Sequence, residues 1–225
     1  PGAQRHQDDR SRNPGSTYQC CVLTTRPAQN PAMIAPPGGR GDQMPRVPYF
    51  ETETATGKHA ELLSKLDPML NIYRMLANSE QGAKGFLRMG NALLYRCELD
   101  PVLRELAIVR VGRLSRAAYE VFQHERIGRE VGVSDDKIAA LRDATIEAPA
   151  FTDNEKAVLR YTDDVVRNVR ASDKTLKAVQ AFLTPGALVE LTLTIGYYMM
   201  VCRFLESMGV EGEEGQAEWL KTAKL

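Results

Sequence analysis

Histidine and paired cysteine are what this sequence has least of. Three histidines, His6, His59 and His124, are spread over 225 residues, and the four cysteines, Cys20, Cys21, Cys97 and Cys202, contain no C-x-x-C pair. That spacing argues against a zinc site and against a disulfide framework. A bridge between adjacent Cys20 and Cys21 would be strained, so free thiols in a reducing cytoplasm are expected, with neither a metal nor another cofactor. Net charge is also lacking. The 29 basic and 29 acidic side chains cancel, which removes the electrostatic footprint of a protein that binds nucleic acid or an anionic membrane. No uninterrupted apolar run approaches the roughly 18 residues of a transmembrane helix. A soluble protein with a small-molecule substrate is expected, with no nucleic-acid or membrane partner.

Proline is present but unevenly placed. Residues 1–48 hold eight of the twelve prolines, including Pro36-Pro37-Gly38-Gly39, and show no sustained apolar period. Such a segment buries too little surface to offset its ordering entropy, so a disordered extension is expected there. It lacks the apolar core of a secretory signal, and Asp8 and Asp9 among its arginines suit a transit peptide poorly. Met33 and Met44 are candidate starts of the native chain. Residues 49–225, with 43% hydrophobic residues in the sequence overall, are expected to form one domain.

The pattern from about Lys58 onward is helical, and no stretch alternates with period two, so the class is all-α. Asp67-Pro68 and Asp100-Pro101 each offer an N-cap acid before a proline, predicting helix starts near 68 and 101. An amphipathic helix is expected over about 79–97. Gly132 should close the helix that carries His124, and Ser134 with Asp135 and Asp136 should open another, to about Asp143. Thr152-Asp-Asn-Glu155 reads as a capping box, and Asp173 as the cap of a short helix ending near Thr184. Ala187 to about Met208 is apolar on most faces, which predicts a central helix or a subunit interface. Superposing Glu190 on Glu105 suggests an internal repeat of two helical hairpins, with Gly209 opposite His124 and chance as a serious competitor.

Chemistry concentrates in one stretch. Glu105 stands among Val102, Leu103, Leu106, Ala107, Val109 and Val111, and a carboxyl desolvated by such neighbours has its pKa raised toward the range useful for proton transfer. Its plain alternative is an ion pair with Arg104, Arg110 or Arg113. Glu120 and His124, four residues apart, share a helix face. The pair is common on solvated helices, but Ala117, Val121, Ile127 and Gly128 suggest a partly buried face with room for a ligand. Tyr119 reads as a packed aromatic, His59 as a surface residue, and Cys97 and Cys202 as structural thiols. Glu211, Glu213, Glu214, Lys221 and Lys224 read as a solvated C-terminal segment that Trp219 anchors to the body or to a neighbouring subunit.

The run Leu103-Arg-Glu-Leu-Ala-Ile-Val-Arg-Val-Gly, then Tyr119-Glu120-x-x-x-His124, Gly132-Val-Ser, and finally Leu188-Val-Glu-Leu-Thr-Leu-Thr-Ile-Gly-Tyr-Tyr resembles the carboxymuconolactone decarboxylase family, which includes the alkylhydroperoxidase D group. The likeness covers about residues 58–210 and implies an alkylhydroperoxidase D-like helical bundle that assembles as a homo-oligomer, a trimer or hexamer. Peroxidatic members carry a glutamate, a C-x-x-C and a histidine. Here Glu105 and His124 match, while the cysteine positions fall on Ala117 and Glu120, so neither the attacking nor the resolving thiol is present. The resemblance therefore implies the decarboxylase-like branch: a cofactor-free carboxy-lyase acting on a small carboxylated lactone or related unsaturated acid. In that reading His124 is proton donor and acceptor, Glu120 sets its tautomer, and Glu105 is a second acid or charge stabiliser. Arg113 or Arg116 would be candidates to hold a substrate carboxylate. The alternatives are an alkylhydroperoxidase of the same fold and a non-catalytic helical oligomer or binding module.

Overall fold

The computed structural model describes residues 44–143 and 145–224. The expected disordered extension, with Met33, Cys20 and Cys21, lies outside the described residues, apart from its last few positions. Those positions belong to the body: Arg46 N–H donates to the Met208 carbonyl at 2.9 Å, and the Pro48 carbonyl accepts from Asn78 at 2.9 Å.

Among the described residues the chain forms helices and no strand, as the all-α reading requires. The helices are α1 Gly57–Leu63, α2 Asn71–Leu76, α3 Glu80–Tyr95, α4 Pro101–Ser115, α5 Ala118–Val131, α6 Asp135–Arg142, α7 Asp153–Asn168, α8 Asp173–Gln180, α9 Pro185–Met208 and α10 Gln216–Leu220. Caps explain most of their starts. The Asp100 carboxylate accepts from the N–H groups of Val102 and Leu103 at 2.9 and 3.0 Å, with Pro101 in the first turn. Ser79, Ser134 and Thr184 cap α3, α6 and α9 in the same way, and Thr152 with Glu155 makes the full capping box of α7. Two expectations need correction. Asp67-Pro68 starts no helix; α2 begins three residues later, at Asn71. The cap of α8 is Ser172, with Asp173 as its first helical residue.

α4 is the central element. Its residues from Arg104 to Gly112 are all buried, because α5, α7 and α9 pack around it and α6 covers part of it. Its two sides serve different cores. Ala107, Ile108 and Val111 join Leu191, Ile195, Val201 and Leu205 of α9, while Leu106 and Val109 join Val121, Ile138, Leu141 and Leu159. Each such valine, leucine or isoleucine side chain contributes about 1.5–3 kcal/mol by leaving water, which fixes α4 tightly and buries whatever polar groups it carries.

α9 is long and apolar enough to cross a membrane by length and composition, although Glu190 and Arg203 interrupt its apolar run. One side of it packs in the core, and Val189, Leu193 and Met200 are exposed. The proposed repeat of hairpins does not hold. α4 ends at Ser115, with Arg116 in the left-handed region (φ 55°), and α5 starts at Ala118, whereas α9 runs unbroken through the matching positions to Met208. Glu190, superposed on Glu105 in that repeat, instead accepts the Leu99 N–H at 2.9 Å, tying down the loop before α4.

Candidate active site

The two-residue link Arg116-Ala117 turns α5 back onto α4, and small residues let the two helices close. A Cβ at Gly112 would stand 2.8 Å from Val121 Cγ2, and one at Gly128 would stand 3.7 Å from Glu105 Cβ. This close approach brings Glu105, one turn into α4, against His124 in the middle of α5. His124 Nδ1 lies 2.7 Å from Glu105 Oε2, and Arg104 Nε donates to Glu105 Oε1 at 3.0 Å. His124 Nε2 faces Glu120 Oε1 at 3.2 Å, but among the described residues that oxygen makes no hydrogen bond. All four side chains are buried, Glu105 completely.

The three expected residues thus meet: Glu120 and His124 touch as their spacing implies, and Arg104 pairs with Glu105, but the assignment of the group that orients the ring needs correction. Glu105, across the helix pair, holds Nδ1 and sets the tautomer; Glu120, on the histidine's own helix, does not. With Oε1 taken by Arg104, Oε2 accepts Nδ1–H, so the neutral ring presents the Nε2 lone pair toward Glu120. Electrostatics then split the two ends. Burial pushes the Glu120 carboxyl up to about 7 from an ordinary 4.5, against the pull of His124 and with help from Glu105. Burial acts to lower the His124 pKa, yet the carboxylates of Glu105 and Glu120 outweigh it and raise the ring above its ordinary 6.5.

Glu120 and His124 line a cavity of about 130 Å³, closed by Ile72 and Tyr73 of α2, Leu87 of α3, and Tyr198 and Val201 of α9. Tyr198 meets the imidazole edge to face, 4.8 Å between ring centroids, and burial keeps its phenol neutral by lifting its pKa well above the usual value. An enclosed cavity of about 150 Å³ admits a benzene, so this one suits a ligand of about a single small ring. Ile127 lines it as expected, but Ala117, Val121 and Gly128 pack against α4 and its neighbours instead.

Other expectations move further. Arg113 donates to the carbonyls of Arg142, Ala223 and Lys224, so it secures the C-terminal segment and lies outside the cavity lining. Glu213 is no solvated acid: it accepts from the Asn71 N–H at 2.6 Å and from the Tyr119 hydroxyl, and so ties α2 to the start of α5. Trp219 anchors the segment as foreseen, donating to Glu125 at 2.8 Å and packing on Phe122. Cys97 and Cys202 do not line the cavity, and burial pushes both thiols up, which opposes thiolate chemistry. Among the described residues no group of three or more His, Cys, Asp and Glu side chains is arranged to hold a metal ion. Sequence reasoning missed Gln123, Arg126, Tyr73 and Tyr198 as cavity residues. Gln123 and Arg126 follow the helical spacing of Tyr119 and could have been found; Tyr73 and Tyr198 come from distant helices.

Residues 80–164, from α3 through most of α7, match the carboxymuconolactone decarboxylase family. That segment contains Glu105, Glu120 and His124. The match supports this family for the segment that carries the site. No curated protein matches it by sequence. Among solved structures it is similar to an alkylhydroperoxidase AhpD core, an uncharacterised peroxidase-related protein from Ralstonia eutropha JMP134, at 16% identity and TM-score 0.64, over 80% of this chain and 97% of that one. A peroxidase-related protein from Silicibacter sp. TM1040 matches at 15% identity and TM-score 0.62, over 70% and 83% of the two chains. The debrominase Bmp8, a cysteine-to-alanine variant in complex with 2,3,4-tribromopyrrole, matches at 14% identity and TM-score 0.61, over 72% and 86%. The fold is therefore that of the AhpD-like helical bundle.

Proposed function

We propose that this protein is a cofactor-free acid/base enzyme of the carboxymuconolactone decarboxylase type, a carboxy-lyase acting on a small carboxylated lactone or related unsaturated acid. The observation that carries the reading is the buried chain Arg104–Glu105–His124–Glu120, whose last carboxyl oxygen has no hydrogen-bond partner among the described residues and belongs to a side chain that borders a one-ring cavity. A buried carboxyl left unsatisfied costs stability, so such an oxygen marks a place kept for a ligand. When the substrate loses carbon dioxide, the C–C bond to its carboxylate breaks and the electron pair passes onto the lactone carbonyl as an enolate. A proton must then reach carbon. His124, held by Glu105 and raised above its ordinary pKa, is the donor, and solvent returns the proton to it. Glu120, neutral below about pH 7, supports the carbonyl oxygen as its charge grows.

The alternative peroxidase reading finds no support in Cys97 or Cys202, neither of which lines the cavity. The test is to offer the protein carboxylated lactones and, separately, an organic peroxide with a dithiol. Carbon dioxide release from a lactone, lost in His124→Gln, is expected. Peroxide turnover lost in a Cys202→Ser variant would overturn the proposal. The same reading has the chain assembling as a trimer or hexamer through the outward side of α9, where Val189, Leu193 and Met200 are exposed. A monomer by light scattering would contradict it.

A further inference from the structure

We propose that Arg126, seated on the buried amide of Gln123, determines specificity by holding, at the mouth of the cavity, a carboxylate that stays on the substrate. This role rests on the acid/base reading of the same cavity. The neighbouring arginines are spoken for: Arg104 bonds Glu105, Arg110 grips Asp163 at 2.6 and 2.7 Å, Arg129 reaches Asp135 at 2.8 Å, Arg142 binds Glu125, and Arg113 donates to three carbonyls. Arg126 forms no ion pair among the described residues, although Glu130 lies one turn further along α5. Among the described residues its one side-chain hydrogen bond is from Nη2 to Gln123 Oε1 at 3.1 Å. Gln123 is 6% exposed and lines the cavity with Arg126, so the guanidinium is steadied at its base while its other N–H groups stay open.

Asn91, Tyr95 and Arg126 are the exposed members of the lining and mark the cavity's mouth, with His124 and Glu120 buried within. A planar fork of N–H donors at that place fits a carboxylate and fits a neutral ring substituent poorly. The group it holds is not the one lost. An ion pair to the departing carboxylate would stabilise the ground state and raise the barrier, whereas an ion pair to a spectator group orients the ring without that penalty. An anion in this cavity also meets Glu120 as a neutral acid below about pH 7, so the two do not repel.

Paraconate, a five-membered lactone with one carboxylate, and its methyl ester are the probes. Their binding to the full chain and to its Arg126→Gln and Arg126→Lys variants is read by calorimetry and by the ring signals of His124 in NMR. Arg126 is exposed, so its replacement leaves the core intact. Paraconate should shift the His124 signals and bind about tenfold or more weaker to Arg126→Gln, with Arg126→Lys between. The ester should bind all three forms weakly and alike. Equal paraconate affinity in the native chain and Arg126→Gln would overturn the proposal, as would an ester that binds as tightly as the acid, or no paraconate binding at millimolar concentration. His124→Gln keeps Arg126, so lactone turnover surviving in that variant defeats the acid/base reading separately.

Discussion

α5 carries two buried glutamates only five residues apart, and they have opposite fates. Glu125 is fully buried and closed: Arg142 grips both of its oxygens and the Trp219 indole donates to one of them. Glu120 is nearly as buried, yet one oxygen has no hydrogen-bond partner among the described residues, its neighbour is a histidine at 3.2 Å, and its carboxyl is pushed up to about 7. The first is a fastener, binding the C-terminal segment to α5 and α6. The second faces a cavity. Both look alike as letters on one helix; whether the acid's lone pairs are filled from inside the protein separates an architectural ion pair from a site that waits for a ligand.

The sharpest way to break this contrast is to disable each side. His124→Gln should lower lactone turnover by about 10²–10⁴-fold, the usual worth of a positioned acid or base, while circular dichroism and melting stay close to the native chain. Turnover within tenfold of native would remove His124 from the chemistry. Glu125→Ala should do the reverse, costing about 3–5 kcal/mol of stability because it strands Arg142 and the Trp219 N–H. Urea denaturation measures this, and a midpoint unchanged from native would show that the fastener carries no load.

Glu120→Gln probes the same comparison by pH. The folded Glu120 pKa lies near 7 against an ordinary 4.5, so its contribution to stability is full below about 4.5 and is lost as pH rises through 7. His124, raised above 6.5, has the same sign: its contribution is full below 6.5 and lost as pH climbs past its folded value. Relative to Glu120→Gln, the native protein should therefore lose on the order of 1–3 kcal/mol between pH 4.5 and 8. Thermal melts at constant ionic strength would show this, and parallel curves for the two proteins would count against it. Glu213→Ala should cost about 1–2 kcal/mol by freeing the Asn71 N–H and the Tyr119 hydroxyl, and should raise KM more than it lowers kcat, because α2 walls the cavity. The smallest effect is expected for Cys97→Ser and Cys202→Ala, which should leave lactone turnover unchanged.

Much of this was legible in the sequence wherever the cause is local. Caps at Asp100, Ser134 and Thr152 act within three residues of themselves, and the glycine that ends α5 needs only its own left-handed backbone, φ 105° at Gly132. The misreadings share the opposite cause. Asp67-Pro68 has the letters of a helix start but α2 begins beyond it, Glu213 looks like a solvated acid until Tyr119 and Asn71 are brought to it across the chain, and α9 repeats the pattern of α4 without its break.

The sequence by itself determined that the chain is helical, that Glu105 would be buried, that Glu120 and His124 would share a face, and that no cysteine pair would stand beside them. Each follows from spacing along one helix or from the residues on either side. Only the tertiary structure decided that Glu105, not Glu120, holds the ring nitrogen Nδ1, that α2 and α9 close a cavity around the pair, and that Arg126, not Arg113 or Arg116, lines it. Those facts depend on how close two helices come and in what register, which small residues such as Gly112 and Gly128 permit but the rest of the packing must choose.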